Sequence, residues 1–163
     1  MKGVMFTADL LPLALDGSKT QTRRLMEEQP EMVTDTGIEP WVGNPLALID
    51  LLRRAHRGPR YQPGDIVPLQ DKHGVTKGYG RILDVRAERV QDISEEDAIA
   101  EGISEHATIK GWHVGPGGLR GTGTAKDLFA LLWDSIAKPG FRWADGPFVW
   151  VYGFVLAKDP KTP

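Results

Sequence analysis

Between Asp16 and Leu25 the chain reads DGSKTQTRRL, placing one lysine, two arginines and two threonines together in a protein whose formal net charge is −2. A threonine hydroxyl is a weak nucleophile until a base takes its proton. Lys19 stands three residues before Thr22. Within one strand that spacing puts the two side chains on opposite faces, but at a helix-to-strand corner the flexible lysine can approach the hydroxyl. Partial burial and the neighbouring Arg23 and Arg24 would both favour the neutral amine that a base requires. A carboxylate from elsewhere would then orient the lysine and carry a proton to a leaving amine. A plainer role suits the same residues: cations meeting water or phosphate, with Thr20 and Thr22 chosen for strand propensity.

Other chemistries are poorly provided for. The four histidines, His56, His73, His106 and His113, lack compact ligand spacing, so no metal site and no cofactor are expected. The glycine-rich GPGGLRGTG lacks the terminal Gly-Lys-Ser/Thr of a phosphate-binding loop and is expected to be a mobile surface loop. Zero cysteines exclude disulfides, thiolate nucleophiles and Cys-type zinc sites. With so little net charge, a polyanion would have to meet a local basic patch. A second such cluster is RRAHRGPR, with Arg53, Arg54, His56, Arg57 and Arg60.

The elements that must position these residues follow from pattern. At 163 residues and 40% hydrophobic content, the chain suits one domain over 1–157, followed by a polar tail at 158–163. No long apolar run or secretory leader is visible, which points to the cytoplasm and away from a membrane. KGVMF suits a first strand, Thr7 the cap of a helix through ADLLPLALDG, and TQTRRLM a strand with Thr20, Thr22 and Arg24 on one side. PLALIDLLRRA reads as a short amphipathic helix, and YQPGDIVPL as a turn entering a strand. YGRILDVRAERV suits a long strand whose alternation is irregular. ISEEDAIAEGI is a helix capped by Ser94 and ended by Gly102, and AKDLFALLWDSI a helix with Leu128, Leu131, Leu132 and Ile136 as its apolar stripe. PFVWVYGFVL suits a central strand. This order, without regular βαβ alternation, predicts an α+β fold: a mixed or antiparallel barrel-like sheet flanked by helices.

In order, LDGSKTQTRR, YQPGDIV, RVQDISEEDAIAEGI and LWDSIAKPGFRWADGPFVWVYGF resemble the ASCH domain family, most closely the small ASCH proteins of bacterial prophages. The likeness runs from about Lys2 to Phe154. It implies a PUA-like β-barrel flanked by short helices, with a cleft for a nucleoside or single-stranded RNA. Some ASCH proteins are amidohydrolases that deacetylate N4-acetylcytidine with a lysine, a threonine and a glutamate. By motif, the resemblance places these roles on Lys19, Thr22 and Glu101, with Glu96 as the substitute acid. Thr20, Arg23, Arg24, Tyr61 and Trp112 are the expected substrate contacts. A non-catalytic RNA-binding module and an ASCH-type ribonuclease are the alternative functions. Two insertions, EEQPEMVTDTGIEPWVGN and KGWHVGPGGLRGTGT, are placed where a lid or selecting loop could form.

Overall fold

The structure, a computed structural model, describes residues 2–29, 58–106, 108, 110–115 and 117–162. Its elements are β1 (Val4–Met5), α1 (Leu11–Asp16), β2 (Gln21–Leu25), β3 (Ile66–Gln70), β4 (Thr76–Arg89), α2 (Glu95–Ala100), β5 (Ile103–Glu105), β6 (Trp112–Val114), β7 (Arg120–Gly121), α3 (Ala125–Ile136) and β8 (Phe148–Ala157). The fold is α+β, as expected, with the barrel left open. Five strands in the order β1-β3-β4-β8-β2 form a mixed sheet that curls into a half-barrel, whose β1–β3 pair is parallel and other pairs antiparallel. The helix expected at PLALIDLLRRA and the basic residues Arg53, Arg54, His56 and Arg57 lie outside the described residues.

β8 is the central strand its sequence suggests. It lies between β4 and β2 and is buried from Phe148 through Phe154, on both faces. The irregular alternation of β4 has a physical cause in the register. Ile82 pairs with Phe154 and Asp84 with Gly153, so Leu83 is the extra residue of a β-bulge and is exposed. The bulge reverses which parity faces which side. Ile82 before it and Val85 and Ala87 after it share the face of Phe154, Tyr152 and Trp150. Arg86 and Glu88 are thereby turned to the opposite face, the face of Arg23, since Arg86 and Arg23 both pair with Val151.

Three local expectations are corrected. Thr7 does not cap α1 with its hydroxyl; its carbonyl accepts from Leu10 and Leu11 N–H, and the helix starts at Leu11 with Pro12 in its first turn. The glycine-rich GPGGLRGTG is not only loop, because it contributes β7, which pairs with β6 in a second antiparallel sheet ordered β5-β6-β7. The buried face of α3 consists of Ala125, Leu128, Phe129, Leu132 and Trp133, while Leu131 and Ile136 are more than half exposed. Two aromatic side chains outweigh two aliphatic ones in choosing which stripe is buried.

α2 and α3 are tied together at their N-termini. Ser94 caps α2 by accepting from Asp97 N–H, and Thr124 forms a reciprocal capping box with Asp127 in α3. The first two amides of α3 are capped from outside: Ala125 and Lys126 N–H donate to the Glu95 carboxylate at 3.0 and 2.9 Å. Glu95 thus satisfies another helix's orphan donors rather than only its own helix dipole. Replacing Glu95 with Ala is expected to lower stability by about 1–2 kcal/mol, with Glu95→Gln recovering part of the loss, as read from the urea midpoint at constant slope.

Candidate functional site

The corner before β2 is built by backbone bonds. Gly17 ends α1 in the left-handed region at φ 86°, and Lys19 N–H returns to the Leu13 carbonyl at 2.8 Å. Thr20 N–H donates to the Ala100 carbonyl, and Phe154 N–H donates to the Thr20 carbonyl, both at 2.8 Å. These bonds pin Lys19 between the central strand and the end of α2, where Glu101 is the C-cap. Gly102 at φ 105° lets the chain leave the helix there, with Leu13 too close for a side chain to be added freely.

Lys19 Nζ donates to the Glu101 carbonyl at 2.9 Å and forms an ion pair with Glu101 Oε2. Lys19 is 1% exposed and Glu101 4%. Burial pushes the Lys19 pKa below its ordinary value against the opposing pull of Glu101, with Arg24 and Arg23 adding to the lowering. The carboxylate paired with Lys19 is that of Glu101, and Glu96 is exposed.

The opposite oxygen of Glu101 belongs to Arg23, whose Nη1 reaches Oε1 at 3.0 Å. Arg23 also donates to Gln21 Oε1 at 2.6 Å, twice to Glu88 Oε1 at 2.9 and 2.5 Å, and to Asp97 Oδ2 at 2.9 Å. A guanidinium carries five N–H groups, and these five bonds engage them all. Although burial works against its charge, Glu101 and Glu88 hold Arg23 above its ordinary pKa. Asp97 receives Gln21 Nε2 at 3.1 Å and an ion pair from Arg86. Burial would raise the Asp97 carboxyl, but Gln21, Arg86 and Arg23 hold it below the usual value.

The other face of β2 carries Thr22 and Arg24, which pair across the sheet with Tyr152 and Trp150. A cavity of about 500 Å³ opens there, along the seam between β1 and β2, the two edges of the half-barrel. Its walls include Val4, Met5 and Arg24, and Tyr61, Trp150 and Tyr152 line it on the buried side. Tyr61 OH donates to the Lys2 carbonyl at 3.0 Å, and the Tyr61 and Tyr152 rings meet edge-on at 5.3 Å. Burial pushes Tyr152 up to about 12. Arg24 spans the seam, donating to the Met5 carbonyl at 2.6 Å with its guanidinium 5.3 Å from the Phe6 ring. Its Nε is buried and has no partner among the described residues.

The structure therefore joins Lys19 to Glu101 and sets Arg24 and Tyr61 around one cavity. Thr22 is 4% exposed. Lys19, Thr22 and Glu101 line neither cavity described here. Thr20 is exposed, and Trp112 lines a separate cavity of about 440 Å³ with His106 and Lys110. Among the described residues no group of three or more His, Asp or Glu side chains could hold a metal ion, and no helix is long and apolar enough to cross a membrane.

Sequence reasoning passed over Gln21, Glu88, Asp97 and Arg86. Two signals pointed to them. Arg86 and Glu88 alternate on one strand face, and Asp97 stands four residues before Glu101 on one helix face.

Comparison with protein-family models gives no match, and comparison with curated proteins gives none either. Similar solved structures include the crystal structure of protein EF3133 from Enterococcus faecalis V583, a DUF984 protein, 14% identical over 91% of this chain and 66% of that one, with TM-score 0.48. They also include an ASCH domain from Lactobacillus crispatus JV V101, 14% identical over 90% of this chain and 69% of that one, with TM-score 0.43.

Two outcomes follow from the buried charges. Glu101→Ala strands Lys19 and Arg23 without their shared acid and is expected to cost about 3–5 kcal/mol in chemical denaturation, more than Glu101→Gln. Asp97, with its folded pKa depressed, contributes stability present above its unfolded pKa of about 4 and lost as pH falls through the folded value. Asp97→Asn should accordingly flatten the acid limb of a stability-against-pH curve.

Proposed function

We propose that this chain is an ASCH-type domain that recognises a nucleoside or a nucleotide of single-stranded RNA, with the base held in the seam cavity. One observation carries this reading: Arg24, its Nε buried and unpartnered among the described residues, lines a cavity whose buried side is Tyr61, Trp150 and Tyr152. An unsatisfied buried donor is costly, and an anionic oxygen or a base carbonyl arriving there would satisfy it. The cavity volume falls in the range of small-ligand sites, and the aromatic side chains offer surfaces for a base.

A second reading, hydrolysis of an N4-acylated cytosine at the same place, is favoured by Lys19. Its ammonium uses two N–H groups on Glu101 and holds a third proton that burial makes easier to lose. The neutral amine keeps both donors and gains a lone pair. In this chemistry Lys19 takes the Thr22 proton as Oγ1 attacks the acyl carbonyl. The acyl–threonine ester forms, the C–N bond breaks, and the proton passes to N4 of the departing cytosine. Water then hydrolyses the ester, releasing the carboxylic acid and restoring Thr22. Thr22 occupies the sheet face next to the cavity, and the seam must open for the acyl group to reach it. β1 is the shorter edge of the sheet, two residues that pair with β3 alone among the described strands.

The test is incubation of the protein with N4-acetylcytidine and with short single-stranded RNA, followed by chromatography, binding isotherms and gels. Salt-sensitive binding weakened roughly tenfold or more by Arg24→Ala is the expected result for recognition; unchanged binding overturns it. Cytidine release that disappears in Thr22→Ala and Lys19→Arg, and rises with pH through a lysine pKa below 10.5, is expected for hydrolysis. Cleaved RNA would replace both readings with a ribonuclease.

A further inference from the structure

We propose, building on the hydrolytic reading, that Arg23 is a positioning residue for Lys19: held on Glu101 Oε1 at 3.0 Å, it fixes the carboxylate against the amine and keeps Glu101 neutralised after Lys19 has given up its proton. The sequence suggests Arg23 as a substrate contact. Its side chain is 1% exposed, however, and all five of its N–H groups are engaged by protein acceptors, so none remains for a ligand.

The charges around the pair explain what such a residue does. Lys19 faces Glu101 at the end of α2 and lies near Arg23 and Arg24 of β2, with the Phe6 ring 5.7 Å away. Arg23 faces Glu88 of β4 and Asp97 and Glu101 of α2, with the Phe129 ring of α3 at 5.8 Å. Arg86 in turn meets Asp97 and Glu88. With Lys19 protonated, Lys19, Arg23, Arg24 and Arg86 exceed Glu88, Asp97 and Glu101 by one positive charge; with Lys19 neutral the signs balance. Without Arg23, a neutral Lys19 would leave Glu101 buried with no cation on either oxygen. The proton would therefore stay on the amine, because an uncompensated buried carboxylate is among the most costly arrangements in a protein.

The experiment follows the lysine proton directly in the full-length protein by the ¹³Cε resonance of labelled Lys19, assigned by its loss in Lys19→Arg. The wild-type midpoint is expected below 10.5. Arg23→Met should move it upward by about one pH unit or more, a tenfold change in proton affinity, whereas Arg23→Lys, which restores a cation, should return it toward wild type. A Met variant titrating like wild type, or a Lys variant titrating like Met, overturns the proposal. If Arg23→Met does not fold, the charge-balanced Arg23→Met/Glu88→Gln double variant is titrated against Glu88→Gln alone, with the same upward shift expected and its absence fatal. Where cytidine is released, Arg23→Met should lower kcat at neutral pH with KM unchanged, and a raised KM with kcat unchanged would make Arg23 a substrate contact after all. If wild type releases no cytidine, the hydrolytic reading fails alone, and the titration still decides whether Arg23 governs the Lys19 proton.

Discussion

A carboxylate removed from water survives as an anion only where cations and donors replace the water it has lost. Glu101 meets this condition from two sides at once, with Lys19 on one oxygen and Arg23 on the other. Much of the surrounding structure is arranged to keep those two cations in place. The Thr20–Ala100 and Phe154–Thr20 backbone bonds set Lys19 at the corner, and strand alternation delivers Arg23 to the helix-covered face. The bulge at Leu83 turns Arg86 and Glu88 to the same side. Removing the bulge residue would send those charges into the aromatic face. Through Glu88 and Arg23, one extra residue in β4 therefore bears on one acid at the end of α2.

The two faces of β2 divide the work. Gln21 and Arg23 look into a layer of buried charge, while Thr22 and Arg24 share the opposite face, where Arg24 lines the cavity. On the first face every Arg23 N–H is engaged, and on the second Arg24 Nε is unsatisfied among the described residues. Such a division places a rigid electrostatic support directly behind the strand that borders the cavity. Because the support is bonded through the strand itself, its geometry does not rely on loops.

Much of this was legible in the sequence, and the exceptions share a cause. The β2 alternation, the Ser94 cap, the central β8 and the pairing of Lys19 with Glu101 follow from local pattern or from motif likeness. What was not legible depends on which partner a side chain finds across the fold. Period two alone could not foretell the parity change in β4, because one unpaired residue is invisible without its neighbour strand. Arg23 looks like Arg24 in sequence, yet one is enclosed by Glu88, Asp97 and Glu101 and the other borders a cavity. The stripe on α3 was misassigned because Phe129 and Trp133 fix the buried side, leaving Leu131 in solvent. Glu95 suited its own helix dipole equally well, and only the approach of α3 reveals that it serves a neighbour.

A half-barrel has two edge strands, here β1 and β2 among the described residues, and the edges of β-sheet invite foreign strands. Here β1 is only two residues long, and the Arg24 side chain already occupies a carbonyl on it, so an incoming chain finds little to copy. The guanidinium that bridges the seam thereby stands against edge-to-edge pairing as well as bordering the cavity.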